Sequence, residues 1–315
     1  MDEIDFTLSL ILMGNSRISY KELATMFNMS VNSIHKRVKS LVELGIIKKF
    51  KTQLSIFFFS NVVNVIIIGT PTTSNIKNLI GKLGKNEFIY NVSRASGNTF
   101  YIHAYIRNLN ELDSLVAFVR KVGCIDEMIV GLEKQPQEHA QLDLEKIKIE
   151  NLDYLIIHSL KDNSRKNISD IADEVGSNVK TVRRHLDKLI ENHFILFSID
   201  WYPDKTGESL SFITLNVNPQ IKPVDLRLEE KLRSKFDSNF VLLWEFSNLP
   251  NMKLFCVWFR SMKQLQNIET SLLSDNTYES INIAVLVEGE IFPTWIDTYL
   301  EEKVEEIKLK LNRIN

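Results

Sequence analysis

Two stretches of this sequence combine the residue types that read DNA. "SVNSIHKRVKSLVELGIIKKF" (30–50) places Asn32, Ser33, His35, Lys36, Arg37 and Lys39 where helical periodicity turns them away from Ile34, Val38, Leu41 and Leu44. Lys48, Lys49 and Lys51 follow on a strand-like tail. Asn and Ser near a helix start suit base edges, Arg bridges guanine, and flanking lysines hold phosphates. Among these residues six cations face one acid, Glu43. "NVKTVRRHLDKLIENHFILFS" (178–198) repeats the helix with Lys180, Thr181, Arg183, Arg184, His185 and Lys188, opposed by Asp187. It carries Leu196-Phe197 where the first copy has Lys48-Lys49, and apolar side chains cannot neutralise phosphate. The pattern therefore predicts unequal readers, the first dominant, because phosphate contacts carry much of the affinity. The plainer account of such a charge run is a solvated helix face, which a helix-turn-helix context makes the weaker one.

The elements that must position these residues repeat without a gap. "RISYKELATMFNMSVNSIHKRVKSLVELGII" aligns with "RKNISDIADEVGSNVKTVRRHLDKLIENHFI", Arg17 on Arg165, Ile34 on Val182, Leu41 on Leu189. Ser19-x-x-Glu22 is a capping box and Asn167-x-x-Asp170 its weaker equivalent. Asn28 and Gly176 allow the turn, and Ser30 and Asn178 cap the third helix. Behind each helix-turn-helix the pattern of apolar segments predicts β-α-β-β-α-β, a ferredoxin-like sheet with helices on one face. The run "LSIFFFSNVVNVIIIG" is broken by Asn61 and Asn64 and reads as two adjacent strands rather than a membrane span. The uncovered sheet faces need a partner, from the other copy in the same chain or from a second chain. The fold class is thus α+β, two winged helix-turn-helix domains (1–58, 149–204) alternating with two ferredoxin-like domains (59–133, 205–292). Residues 134–148 are the expected linker. Residues 293–315 form a charged helix with Leu300, Val304, Ile307, Leu311 and Ile314 on one stripe, folded back on its own domain or paired between chains.

Residues 1–50 resemble the N-terminal winged helix of the Lrp/AsnC (feast/famine) transcriptional regulators. The unit that follows resembles their effector and oligomerisation domain, with "RASGNTFYIHAYIRNLNEL" similar to its glycine turn. The likeness covers nearly the whole chain, twice over, as a tandem version. It implies a double-stranded DNA partner, pairing through the sheets as a homodimer or internal pseudo-dimer, and an amino acid or similar metabolite as effector. By position Ser96, Gly97 and Asn98 are the effector residues the resemblance implies, although Asn98 and Thr99 stand where many members have an acid. A plain hairpin turn is the competing account of that stretch.

Composition sets bounds on these expectations. The net charge of −2 gives no global attraction to nucleic acid, so binding must come from a local patch. Cys124 and Cys256 stand far apart, which argues against a zinc site or disulfide scaffold and fits a reducing cytoplasm. The acidic start "MDEIDF" lacks a basic leader region. No cofactor, metal site or membrane span is expected. Siroheme decarboxylases share the tandem architecture, so an enzyme acting on a tetrapyrrole is the alternative function, and a DNA-independent scaffold is a third. Of six histidines only His103 sits on a sheet strand, and a lone strand histidine is more often structural.

Overall fold

A computed structural model of the chain describes residues 1–59, 61–134, 149–206, 209–220 and 227–312. Residues 135–148 of the expected linker, with His139, lie outside the described residues, as does Ile314. The first half runs α1 (Glu3–Gly14), α2 (Tyr20–Met26), α3 (Val31–Glu43), β1 (Ile47–Leu54), β2 (Val63–Gly69), α4 (Leu79–Leu83), β3 (Ile89–Ala95), β4 (Phe100–Ile106), α5 (Leu112–Gly123) and β5 (Met128–Leu132). The second runs α6 (Asn151–Leu160), α7 (Ile168–Glu174), α8 (Val179–Glu191), β6 (Ile195–Trp201), β7 (Ser209–Val217), α9 (Leu228–Phe236), β8 (Phe240–Glu245), β9 (Met252–Phe259), α10 (Met262–Leu273), β10 (Tyr278–Ile291) and α11 (Trp295–Asn312). Domains alternate along the chain, but packing groups like with like. One compact unit holds Met1–Val62, Pro136–Tyr202 and Pro293–Asn315, and the other holds Val63–Gln135 and Pro203–Phe292.

In the helical unit, local chemistry sets the helix ends. Ser19 accepts from the Glu22 amide at 3.1 Å while Glu22 Oε2 accepts from the Ser19 amide at 2.9 Å, so two otherwise unpaired donors are satisfied. Asn167 makes no such side-chain bond, which removes the expected second box. Asn28 and Gly176 take left-handed φ of 50° and 64°, a region that Asn and Gly enter at low cost. Residues 56–58 form a 3-10 turn, not the expected strand. Phe58 and Phe59 there pack on Tyr154, Phe194, Trp295 and Tyr299, and this aromatic burial outweighs the β propensity of the run. Helix α11 folds back on α6, with Tyr154 and Tyr299 hydroxyls 3.1 Å apart and Glu301 taking both Lys161 and His158.

The other unit is one eight-stranded sheet in the order β5-β2-β4-β3-β10-β7-β9-β8. Each half has the ferredoxin-like arrangement, and β10, 14 residues long, joins them by pairing with β7 through residues 278–285 and with β3 through 286–291. The two ends of the sheet also meet, through a bridge between Glu133 and Phe246 and an Asn248 side chain that bonds Leu132 N and Val130 O, both at 2.8 Å. Gly131 permits that closure, because a Cβ there would sit 2.3 Å from the Phe246 ring. One face is covered by helices, with Ile213, Leu215, Phe255 and Val257 packed against Leu228, Leu232, Leu265 and Ile268. Helix α4 is shorter than its pattern predicts, since Thr72 is tied to Cys124 O at 2.8 Å and Asn78 turns left-handed before Leu79.

The other face packs against itself within the chain. Tyr101 lies 4.4 Å from Phe212, and His103 lies 5.5 Å from Trp244 and 5.7 Å from Tyr90 (ring centroids). His103 therefore serves as part of an aromatic core. Burial pushes its imidazole down to about 4, below the unfolded value of about 6.5. Between those values the unfolded chain binds a proton that the folded chain refuses. The His103 contribution is complete above about pH 6.5 and is lost as pH falls toward 4. Glu133, which contacts Tyr90 through Asn64, is raised by burial and acts in the opposite sense, costing stability as pH rises past its unfolded value. Unfolding free energies across this range should differ between wild type and His103→Gln by an amount that changes on the order of 3 kcal/mol. A pH-independent difference would contradict this origin.

Candidate nucleic-acid interface

The helix α3 is held by Ile34, Val38 and Leu41, each buried, against Leu8, Leu12 and Leu23. Its start is capped by Ser30, which accepts from Ser33 N at 3.1 Å. Asn32, His35, Lys36 and Lys39 consequently face solvent, with Ser33 half-buried. Lys39 lies 3.6 Å from Glu43, one turn on, an exposed pair of little worth. In α8 the buried face is Val182, Leu186, Leu189 and also His185, and Asn178 caps Thr181 N at 2.9 Å. Lys180, Arg183 and Arg184 face solvent, and Thr181 is half-buried.

Several expected phosphate contacts are instead committed to internal ion pairs. Arg37 turns back to the start of α1, where Nη1 sits 2.8 Å from Asp2 Oδ2 and 2.7 Å from Asp5 Oδ1. Lys188 pairs with Asp153 at 2.6 Å, and the same carboxylate meets His185 Nδ1 at 2.7 Å. Lys51 pairs with Asp200 at 2.8 Å, both largely covered. Lys49 pairs with Asp162, and that hydrogen bond holds the Asp162 carboxyl below its ordinary range. Lys48 alone of the three tail lysines is exposed, its ammonium 5.8 Å from the Tyr202 ring.

The reason lies in the strands. The tail expected to act as a wing, β1, pairs antiparallel with β6, its copy, with Phe50 opposite Ile199 and Thr52 opposite Phe197. Acids of the second copy thereby come within reach of Lys49 and Lys51. Phe197 is buried in this pairing, while Leu196 stays exposed. The core of the first head includes Ile199 and Trp201 from the second copy's strand. The first head is not complete without the second copy's strand.

The expected effector turn lies in the sheet unit. Ser96, Gly97 and Asn98 are exposed, with φ of 69° at Gly97 and 57° at Asn98. The Ser96 hydroxyl accepts from Val285 N of β10 at 3.1 Å, and Arg94 bonds Glu288 at 2.7 Å and Asn98 at 3.4 Å. The turn is thus stapled to the other half of the sheet. Among the described residues no group of three or more His, Cys, Asp or Glu is placed to hold a metal ion, and no helix is long and apolar enough to cross a membrane.

Comparison with known proteins matches a winged helix-turn-helix DNA-binding family to residues 1–48 and 149–195. Both helix-turn-helix copies of the chain therefore match the winged helix-turn-helix DNA-binding family, in tandem. An uncharacterised HTH-type transcriptional regulator of Pyrococcus horikoshii is 30% identical over 97 residues, 31% of this chain and 66% of that protein. One from Pyrococcus abyssi is 25% identical over 125 residues, 39% of this chain and 84% of that protein. The crystal structure of the siroheme decarboxylase NirDL shares the fold, with a TM-score of 0.60 at 9% identity over 98% of this chain and 100% of that one.

Within this tandem, sequence reasoning missed the residues that join the heads. Ser16 and Ser164, Arg17 and Arg165 lie where the copies meet. Their signal was present in the gap-free alignment of Arg17 on Arg165, a match of two charged residues at an otherwise apolar-driven repeat. The Asp153–His185 contact had no such signal, because its partners are 32 residues apart on different helices.

Proposed function

We propose that the chain is a sequence-specific, double-stranded DNA-binding transcription regulator in which α3 and α8 are the reading helices. The observation that supports this most is the pair of N-capped helices, each with a buried apolar face and an outward row of polar and basic residues. For the first helix these are Asn32, His35, Lys36 and Lys39, with Lys48 beside them. For the second they are Lys180, Arg183 and Arg184, with Thr181 near the start. Lys36, Lys39 and Lys48 are opposed by Glu43, whereas Lys180, Arg183 and Arg184 are opposed by Asp187 and Glu191. The first head is the stronger phosphate binder by about one net charge, a smaller margin than the bare sequence implies, because Arg37, Lys49 and Lys51 are spent internally.

The pairing of β3 with β10 joins two sheet domains within one chain, as a homodimer would join them between two. One chain then presents two unlike heads, which favours an asymmetric operator. The exposed Ser96–Gly97–Asn98 turn, bonded to β10, is where an amino-acid-class effector would bridge the halves.

Binding to a mixed-sequence duplex of about 30 base pairs, measured against salt, tests the reading. Each lost phosphate contact lowers the log–log salt slope by about 0.9. The triple variants Lys36→Ala/Lys39→Ala/Lys48→Ala and Lys180→Ala/Arg183→Ala/Arg184→Ala should both weaken binding by about tenfold or more and flatten the slope, the first more than the second. Unchanged binding in both would remove these helices from the interface. A tetrapyrrole-decarboxylating enzyme on the same architecture is the second reading. The aromatic packing of His103 against Trp244 and Phe212 disfavours it, since the imidazole is enclosed in a filled core. A strong absorbance shift on adding siroheme, without DNA retention, would reverse that preference.

A further inference from the structure

Arg17 and Arg165 occupy matching places in the repeat, and each reaches across to the other copy. Arg17 Nη1 donates to the carbonyl oxygens of Ser164 and Lys166, the latter at 3.1 Å. Arg165 donates from Nη1 to Ser16 O at 2.5 Å and from Nη2 to Ile18 O at 3.0 Å. Between them the Ser16 and Ser164 hydroxyls are 2.6 Å apart, both fully buried. The exchange is reciprocal, as a pseudo-two-fold relation between the copies requires. Aromatic faces complete it, with Arg165 4.4 Å above Tyr20 and Arg17 5.5 Å above Phe197.

This arrangement is an odd one for stability alone. No carboxylate among the described residues pairs with either guanidinium. Burial lowers the pKa of both, and Arg165 lowers that of Arg17 further, so two like charges are held side by side, largely out of water. What the geometry supplies is a fixed relation between the loops joining α1 to α2 and α6 to α7. Arg165 spans two carbonyls with two nitrogens of its planar fork, and Arg17 reaches two from Nη1. Each guanidinium is held in a fixed plane on an aromatic face, an orientation that a lysine, a point donor on a flexible stem, does not fix. The β1–β6 pairing and the shared Ile199 lie in the same seam.

We propose that Arg17 and Arg165 are positioning residues that hold α3 and α8 at one separation and one orientation, so that the chain accepts a single spacing between the two halves of its operator. The operator part rests on the DNA-binding function above. The clasp itself does not. One added base pair rotates a half-site by about 34–36° about the duplex axis, so a rigid pair of heads is intolerant of insertion.

Two measurements separate these parts. In the full chain with Cys124→Ser and Cys256→Ala, nitroxide labels at Lys39→Cys and Asp187→Cys, equivalent exposed positions of the two reading helices, report the distance between heads. We expect one narrow distance peak, broadened about twofold or more in Arg17→Lys/Arg165→Lys, which keeps both charges but removes the forks. An equally narrow peak in that variant overturns the clasp. Selection from a randomised duplex library then reads the operator. Wild type should enrich two half-sites at one spacing and bind a site lengthened by about two base pairs at least ~30-fold more weakly, against less than ~5-fold for the variant. Equal penalties, or no fixed spacing in the wild-type pool, overturn the positioning role. If no sequence is enriched, the DNA-binding function fails and the operator claim with it, while the label distances still decide the clasp. Should the double variant not fold, Arg165→Lys alone, which leaves the bonds of Arg17 in place, carries both measurements.

Discussion

Asp153→Ala is expected to destabilise the second head by about 3–5 kcal/mol, nearer the lower figure because Lys188 can reach water. Asp153 is fully buried and accepts three bonds, from Glu150 N at 2.8 Å, His185 Nδ1 at 2.7 Å and Lys188 Nζ at 2.6 Å. Removing it takes the carboxylate from a buried imidazole and one partner from the Lys188 ammonium, and an uncompensated buried donor costs far more than a made bond returns. The first copy supplies a control. Its corresponding pair is Asp5 with Arg37, but Arg37 is more exposed and keeps Asp2, so Asp5→Ala should cost only about 1 kcal/mol. Chemical denaturation with amide exchange read separately on α3 and α8 checks the contrast. Equal losses at the two sites would show that the Asp153 network is no more than a surface pair.

The second large effect crosses from one copy to the other. Ile199 is carried by β6, in the second copy's sequence, yet it sits in the core of the first head with Leu8, Leu12, Ile34 and Val38. Ile199→Ala should therefore cost about 2–5 kcal/mol, the usual range for a truncated core isoleucine. Ile199→Asp, which buries a charge with no partner, should leave the first head unfolded at 25 °C. The distinguishing readout is exchange protection of the α3 amides, which should fall although the altered residue lies more than 150 positions away in the chain. Loss confined to α8 would mean that the heads are independent and merely adjacent.

Much of this molecule was legible in its residues. The capping box at Ser19–Glu22, the caps at Ser30 and Asn178 and the left-handed turns at Asn28 and Gly176 are local effects, decided by side chains within a few positions of the backbone they satisfy. The apolar stripe of α3 and α8 is likewise a matter of periodicity, as is the β-α-β-β-α-β order of each sheet half. Where local pattern failed, a distant partner had intervened: the strand expected at 54–59 gave way to a turn because Tyr154, Trp295 and Tyr299 bury its phenylalanines.

The sequence by itself determined that this chain carries two copies of one winged-helix and sheet design, each with a basic third helix. Only the tertiary structure decided which cations remain free for a phosphate, because Arg37, Lys49, Lys51 and Lys188 meet acids that no spacing rule places beside them. It also decided that strand pairs with strand across the copies, in the heads as in the sheet. Periodicity specifies which face of an element is apolar and not which element covers it. That choice is made by non-local packing, and here it ties the two heads into one body.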